Sequence, residues 1–465
     1  MSYLWLPIGL ALPTLSGWLL LGLFERKKNV LFTTERVAMG FVLGGTGMMF
    51  VTFVLNAIGL IGFTLFGFLI VQIIVTAILG GLFWKLKPLI ADRLPLIADT
   101  PFSPIQKVCV GLFAVWFIAK IISMAILLAG PAYTDDAMNN WNLRAKSYVQ
   151  MHTLVLEIEP GKGVGVGSYP PTVPMLKAWL TIVNGSTWNE GLANMIQLLW
   201  FVAAVCLVCC SVRRIRGKKW GLIAAYVLSS IPLFVIHGAV PYADLFLSLH
   251  VFLAVSLLYH AVAATDAEDR MTFLRLGALA AAMLTFTKNE SILLHLPPLL
   301  VLLVLSLIYL TKTGKLTKNQ SLKALGWYAG TIACVLLPWL IFKWAHGLQF
   351  GNAKGITGLG MTWHDGVFYA IGINTFHEGN WALLPALLIG LMIIRFRTAF
   401  FTSAFILSAF LIMVIAGQIP IYVLTPLATE ALNQTGYARG MIHLVPVAVL
   451  LAVMLGRDCW SRLRE

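Results

Sequence analysis

The sequence predicts an all-α polytopic membrane protein, and three observations lead there. Of its 465 residues, 59% are hydrophobic, where soluble domains hold about 45–50%. Only 11% are charged, against about 25% in soluble chains. Apolar runs extend over about 17–25 residues, the length that crosses hydrocarbon as a helix. An ordinary soluble enzyme and a disordered chain are thereby excluded. An outer-membrane barrel is excluded too, because its strands alternate polar and apolar residues over about 10 positions.

Thirteen candidate spans follow in order, at 3–24, 37–55, 63–84, 108–129, 188–211, 220–236, 245–264, 273–286, 292–310, 325–342, 381–394, 399–416 and 441–455. The first lacks a basic flank and a small-residue cleavage site, so it reads as a retained span. The fourth carries Lys120 deep in an apolar run, with no role assigned from sequence. The fifth holds Cys206, Cys209 and Cys210. With no His or acid near them, these read as small hydrophobes rather than ligands. The chain divides into 1–107, three N-terminal spans plus a cytoplasmic loop, and 108–465, a transmembrane core with long outer loops at 130–187, 343–380 and 417–440.

The net charge of +14 rests on 33 Lys and Arg against 19 Asp and Glu. In a soluble chain that excess suggests nucleic acid. In a membrane protein the cations anchor cytoplasmic loops, and no nucleic-acid partner is expected. With the N-terminus outside and the C-terminus cytoplasmic, 24 of the 33 basic residues fall on the inner side. The inner loops are mostly short and the outer ones long. Loops longer than a connection needs carry function, so the working face is expected on the periplasmic or extracellular side of a bacterial inner (plasma) membrane.

The first outer loop opens Thr134-Asp135-Asp136-Ala137 and continues through Trp141, Arg144 and Lys146. Thr134 or Asp135 suits an N-cap. Ala137, Trp141, Ala145 and Tyr148 fall at helical spacing, which predicts a short surface helix with Asp136 at its start. Further on, Ser168-Tyr169-Pro170-Pro171 fixes an extended corner before a helix over 172–183. Three smaller outer sites follow. His237 through Pro241-Tyr242-Ala243-Asp244 joins two spans. Thr287-Lys288-Asn289-Glu290 sits between two others, and Tyr437-Ala438-Arg439 with His443 opens the last. Taken singly, each has a structural reading as a helix cap, an interfacial pair or a snorkelling cation. Ionisable groups at membrane depth are expensive, and their gathering on one face points to a site. No phosphate-binding glycine loop, dinucleotide fingerprint or paired-ligand metal signature appears. No cofactor is required by these residues. Carboxylates beside a phosphate are compatible with a divalent metal, but none is indicated.

The order and common sidedness of these motifs resemble the GT-C glycosyltransferases, membrane enzymes that take sugars from polyprenyl-phosphate carriers. The family includes the protein O-mannosyltransferases and the lipid A aminoarabinose transferases. The resemblance covers roughly 108–455, so the family's first span corresponds to the fourth here. It implies a GT-C-like fold with a helical first outer loop, a polyprenyl-phosphate-linked sugar donor, and a lipid, glycan or protein acceptor. Asp-Asp stands where many relatives have Asp-Glu, which leaves both acids as candidates for the base.

Chemistry then assigns roles. A phosphate leaving group needs its charge balanced as the bond to sugar breaks. Lys288 and Arg439 are the first candidates, with Arg144 and Lys146 as alternates. The acceptor hydroxyl needs a base on the opposite face of the sugar. Asp136 is the first choice and Asp135 the second, and one such displacement inverts the anomeric centre. Tyr169, Tyr242, Asp244, Glu290, His443 and His237 are expected to orient sugar or acceptor. The alternative is a transporter or flippase of a lipid-linked or anionic solute. That class favours inverted repeats and midplane sites, and the sequence shows neither.

Overall fold

The computed structural model describes residues 2–26, 28–88, 101–156, 165–185, 187–348 and 361–462. Lys162, Lys354, and most of the expected cytoplasmic loop between residues 85 and 107 lie outside them. The described residues form helices joined by short turns, with no strand among them. The helices are α1 (Trp5–Glu25), α2 (Thr33–Ala57), α3 (Leu65–Leu86), α4 (Pro104–Ala129), α5 (Asn142–Met151), α6 (Thr172–Val183) and α7 (Glu190–Asn194). Then come α8 (Ile196–Arg216), α9 (Lys218–Leu228), α10 (Pro232–Ala239), α11 (Asp244–Ala263), α12 (Ala267–Leu284), α13 (Leu296–Lys312) and α14 (Lys318–Ala345). The last are α15 (Val367–Phe376), α16 (Leu384–Ile394), α17 (Phe396–Phe401), α18 (Phe405–Leu424), α19 (Ala428–Leu432), α20 (Gly436–Ile442) and α21 (Val445–Arg462).

Sequence explains the sharp starts. Ser103 and Gln106 exchange hydrogen bonds ahead of α4, with Pro104 in its first turn. Thr317 and Gln320 do the same for α14. Such reciprocal caps satisfy two of the orphan amides at a helix start. α11 lies at the centre, apolar and buried on all sides, while α3, α4 and α14 keep most of their surface outward, toward lipid. α1 and α2 cross closely because glycines face each other. A Cβ on Gly17 would lie 2.0 Å from the Gly40 carbonyl oxygen, and one on Gly44 would lie 2.1 Å from that of Pro13. Small residues at helix crossings are the membrane solution to close packing. Both helices pack into the core. Trp179 on α6 donates to the Gly9 carbonyl on α1 at 2.7 Å, and Thr46 on α2 meets His250 on α11 at 2.8 Å.

Among the described residues, nine helices are long and apolar enough to cross a membrane, or eleven if two bent pairs each count as one span. The described residues do not confirm the expectation of thirteen. α12 begins with Glu268, Asp269 and Arg270, and α16 has only 11 residues. The expected span at 399–416 is displaced, because the helix breaks after Phe401 and α18 runs on to Leu424. The outer segment expected at 417–440 therefore begins inside a helix.

One bent pair is α9 and α10, which turn by 73° at Ser229–Ile231. The break frees carbonyls that lipid cannot satisfy. Lys120 reaches across from α4 and donates to the Ser229 carbonyl at 2.7 Å, with its ammonium 3.8 Å from the Trp116 ring centroid. That is the role the sequence left open. The second pair, α20 and α21, turns by 53° around His443 and Leu444. At one end of the bundle, basic residues tie the connecting segments together: Arg214 meets Glu35, Arg216 meets Asp458 and Lys28 meets Asp266. The site described next lies at the other end, where α4, α12 and α14 finish and α11 and α13 begin.

Candidate functional site

Asp244 is the hub. It opens α11, is fully buried, and receives three donors. Lys288 Nζ lies 2.8 Å from Oδ1, His443 Nε2 lies 3.2 Å from the same atom, and Arg439 Nε lies 2.8 Å from Oδ2. A buried carboxylate is tolerated only with such compensation. Arg439 then extends outward, and its Nη2 donates to Asp136 Oδ2 at 2.6 Å. Asp136 also accepts from Trp141 Nε1 at 2.9 Å and from Asn140 Nδ2 at 3.2 Å. On the other flank, Lys288 pairs with Glu290 at 3.2 Å, and the Tyr169 hydroxyl donates to the same Glu290 oxygen at 3.4 Å. Aromatic faces line the cations. Arg439 lies 4.9 Å from the Tyr242 centroid and Lys288 lies 5.7 Å from that of Tyr169. Such contacts add attraction without a competing anion.

Local backbone explains how the side chains arrive. A wide π turn, Ala137–Trp141, follows Asp136 directly, and another, Ser291–His295, follows Glu290. π turns re-aim side chains and recur at functional sites. Here the first lets Trp141 and Asn140 both bend back onto Asp136. Ala137, Trp141, Ala145 and Tyr148 are all buried on the face that the helical spacing predicted. The capping reading is corrected: the Thr134 carbonyl, not a side chain, receives the first amides, and Asp135 bonds Asn139 instead. The expected helix at 172–183 is α6.

The cluster brings together Asp136, Lys288, Arg439, Tyr169, Tyr242, Asp244, Glu290 and His443. His237 stands at its edge, 3.8 Å from Asp244. Three predicted residues fall elsewhere. Asp135 is exposed and points away. Lys146 is exposed as well, two positions from buried Arg144 and so on the opposite face of α5. Arg144 supports the site from behind, donating from Nη2 to the Tyr169 carbonyl at 3.0 Å. Lys343 and Asn289 both donate to the neighbouring Ser168 carbonyl, at 2.7 and 3.0 Å. Three elements thus clamp the corner that presents Tyr169. Sequence reading did not single out Lys343, His295 or Lys177 as site residues. Lys177 carried a signal, a single cation inside the apolar run of α6. His295 packs edge-on against His443 with ring centroids 5.3 Å apart.

Charge and exposure are graded. Asp244 is sealed and Lys288 nearly so, whereas the side chains of Asp136, Arg439 and Glu290 are 23%, 30% and 31% exposed. Burial works against the Lys288 ammonium, but Asp244 and Glu290 together outweigh it and hold its pKa above the usual lysine value. Burial pushes the Tyr169 phenol up, and Glu290 adds to this. Lys288 is therefore a fixed cation at neutral pH and Tyr169 a fixed hydrogen-bond donor. Three carboxylates, Asp136, Asp244 and Glu290, face two cations, Lys288 and Arg439, so the cluster holds one more acidic side chain than Lys and Arg together.

No family model and no curated protein sequence matches this chain. Two solved structures do. ArnT from Cupriavidus metallidurans in the apo state aligns over 77% of this chain and 62% of its own, at 15% identity and a TM-score of 0.50. The same protein bound to undecaprenyl phosphate aligns over 74% and 60%, at 15% identity and a TM-score of 0.54. The chain has the fold of these structures, and it spans about three fifths of their length.

Proposed function

We propose that this protein is an integral membrane glycosyltransferase that moves a sugar from a polyprenyl-phosphate-linked donor to an acceptor hydroxyl. The transfer takes place on the periplasmic or extracellular face of the membrane, with inversion. The observation that carries this reading is the Arg439 bridge: one guanidinium joins a sealed carboxylate, Asp244, to a half-open one, Asp136. The likeness to ArnT supports it, since one of those structures holds undecaprenyl phosphate.

The geometry suggests an order of events. A donor phosphate is an anion, and the cluster already holds one more carboxylate than it has cations. The phosphate must therefore replace a carboxylate rather than add to the set. Asp244 is sealed, so Asp136 gives way at the outer edge of Arg439. The displaced Asp136 remains tethered by Trp141 and Asn140. It then stands as the base that takes the proton of the acceptor hydroxyl. The acceptor oxygen forms its bond to the anomeric carbon as the carbon–oxygen bond to phosphate breaks, and the leaving polyprenyl phosphate keeps the electron pair. Negative charge grows on that phosphate, where Arg439 and Lys288 offset it. Glu290, Tyr169 and Tyr242 face the same opening and orient sugar or acceptor.

The test is transfer of labelled sugar from a polyprenyl-phosphate donor by the purified protein, with release of free polyprenyl phosphate as the readout. Release that depends on acceptor supports the reading. Movement of the lipid or solute across a vesicle membrane without release would support a transporter instead.

A further inference from the structure

Lys177 is fully buried near the middle of α6, and the mechanism above does not use it. Its ammonium has three neutral acceptors: Asn142 Oδ1 at 2.6 Å, the Pro241 carbonyl at 3.0 Å and Asn194 Oδ1 at 3.5 Å. The other end of Asn142 donates to Glu190 Oε1 at 2.9 Å. The same oxygen accepts from the Ala132 amide at 3.0 Å. Ala132 and Asn142 bracket the stretch that carries Asp135 and Asp136, so a single carboxylate oxygen closes it. Pro241 lies three positions before Asp244. Lys177 thereby touches both segments whose carboxylates Arg439 bridges.

We propose that Lys177 and Glu190, joined through Asn142, form a positioning network that locks the Asp136 segment against the 241–244 turn. Neither residue touches the reacting atoms. The polarity of the relay fixes the orientation of the Asn142 amide, with its oxygen toward the cation and its nitrogen toward the anion. An apolar side chain at either end releases that constraint, and Asp136 and Asp244 then lose their common frame. The proposal rests on the glycosyl-transfer reading only for its consequence in kinetics, since the lock itself is a structural statement. Burial pulls the Lys177 ammonium down to about 7, while the negative charges of Glu190 on α7 and Asp136 ahead of α5 work to raise it. The other groups in hydrogen-bond contact with it, Asn142, Asn194 and Pro241, do not titrate. As pH rises through that range the ammonium is lost, its bonds to Asn142 and Pro241 weaken, and turnover falls.

The experiment uses the full chain in lipid nanodiscs, with two readouts. Hydrogen exchange is compared over 132–142 and over α11 in wild type, Lys177→Met and Glu190→Ala. Exchange over 132–142 rises at least about tenfold in both variants, with α11 unchanged. Turnover is measured against pH. Lys177→Met lowers kcat about 100-fold, the scale of a misplaced catalytic group, with polyprenyl-phosphate affinity little changed. Glu190→Gln moves the alkaline limb of kcat to lower pH, because the charge that raises the Lys177 pKa is gone. A merely structural role would not move that limb. If Lys177→Met fails to fold, the two Glu190 variants carry the test. Unchanged exchange over 132–142 in Glu190→Ala, or an unmoved limb in Glu190→Gln, overturns the network. Exchange that rises in the variants, with no sugar transferred by wild type from any polyprenyl-phosphate-linked donor, upholds the lock and sinks the glycosyl-transfer reading.

Discussion

Two ion clusters sit at opposite ends of the bundle, and they are built differently. At the basic end, Arg36 pairs with Glu25 and Arg214 with Glu35, and all four residues are 5% exposed or less. Glu25 also accepts the Val30 and Leu31 amides, at 2.7 and 3.0 Å. Every partner is sealed in place, and the cluster staples the α1–α2 turn to α8. At the other end, Asp244 and Lys288 are sealed but Arg439, Asp136 and Glu290 open to the exterior. A closed cluster can only hold a structure together. A cluster with one sealed half and one open half can exchange a partner while keeping its frame, which is what anion binding requires.

The contrast can be broken most severely at the open edge. Asp136→Asn removes the proposed base and should lower transfer by at least about 100-fold. Insertion should persist and polyprenyl-phosphate affinity should be retained, as sugar-transfer and lipid-binding assays would reveal. Next in size is the closed cluster. Arg36→Met leaves the buried Glu25 carboxylate without its counter-ion, at a cost of about 3–5 kcal/mol. Thermal unfolding in detergent should show that loss, with the kcat of the folded fraction near wild type. A kcat defect instead would mean the two ends are coupled. Arg439→Ala and Lys288→Ala each remove a charge-assisted contact, equivalent to about 1.5–3 kcal/mol. Donor affinity should fall about 10–100-fold, and unchanged affinity in both would remove the phosphate clamp. The smallest effects belong to Asp135→Asn and Lys146→Ala. Both side chains point away from the cluster, so transfer should stay within about twofold of wild type.

Much of this was legible in the sequence, for identifiable reasons. The apolar runs gave most of the spans, and the spacing of Ala137, Trp141, Ala145 and Tyr148 gave the buried face of the first outer helix. One-sided polar motifs gave most of the cluster. What escaped depends on geometry that linear spacing does not encode. The π turn after Asp136 decides that it, and not its neighbour Asp135, faces Arg439. Lys146 and Arg144 look alike on paper but lie on opposite faces of α5. The breaks in α9–α10 and α20–α21 sit inside apolar runs that read as continuous. Asp244 read as one of several orienting acids because burial, which makes it the hub, follows from α11 being enclosed by its neighbours. Lys177 falls in the outer loop 130–187, and its apolar neighbours mark it as buried without showing what it bonds.

The central claim is that an anionic phosphate takes the place of Asp136 on Arg439. Equilibrium binding of a polyprenyl phosphate to wild type, Asp136→Asn and Arg439→Ala tests it most directly. The account predicts affinity equal or tighter with Asp136→Asn, which no longer competes for the guanidinium, and weaker with Arg439→Ala. Binding that weakens equally in both variants, or is unchanged by the loss of Arg439, contradicts it.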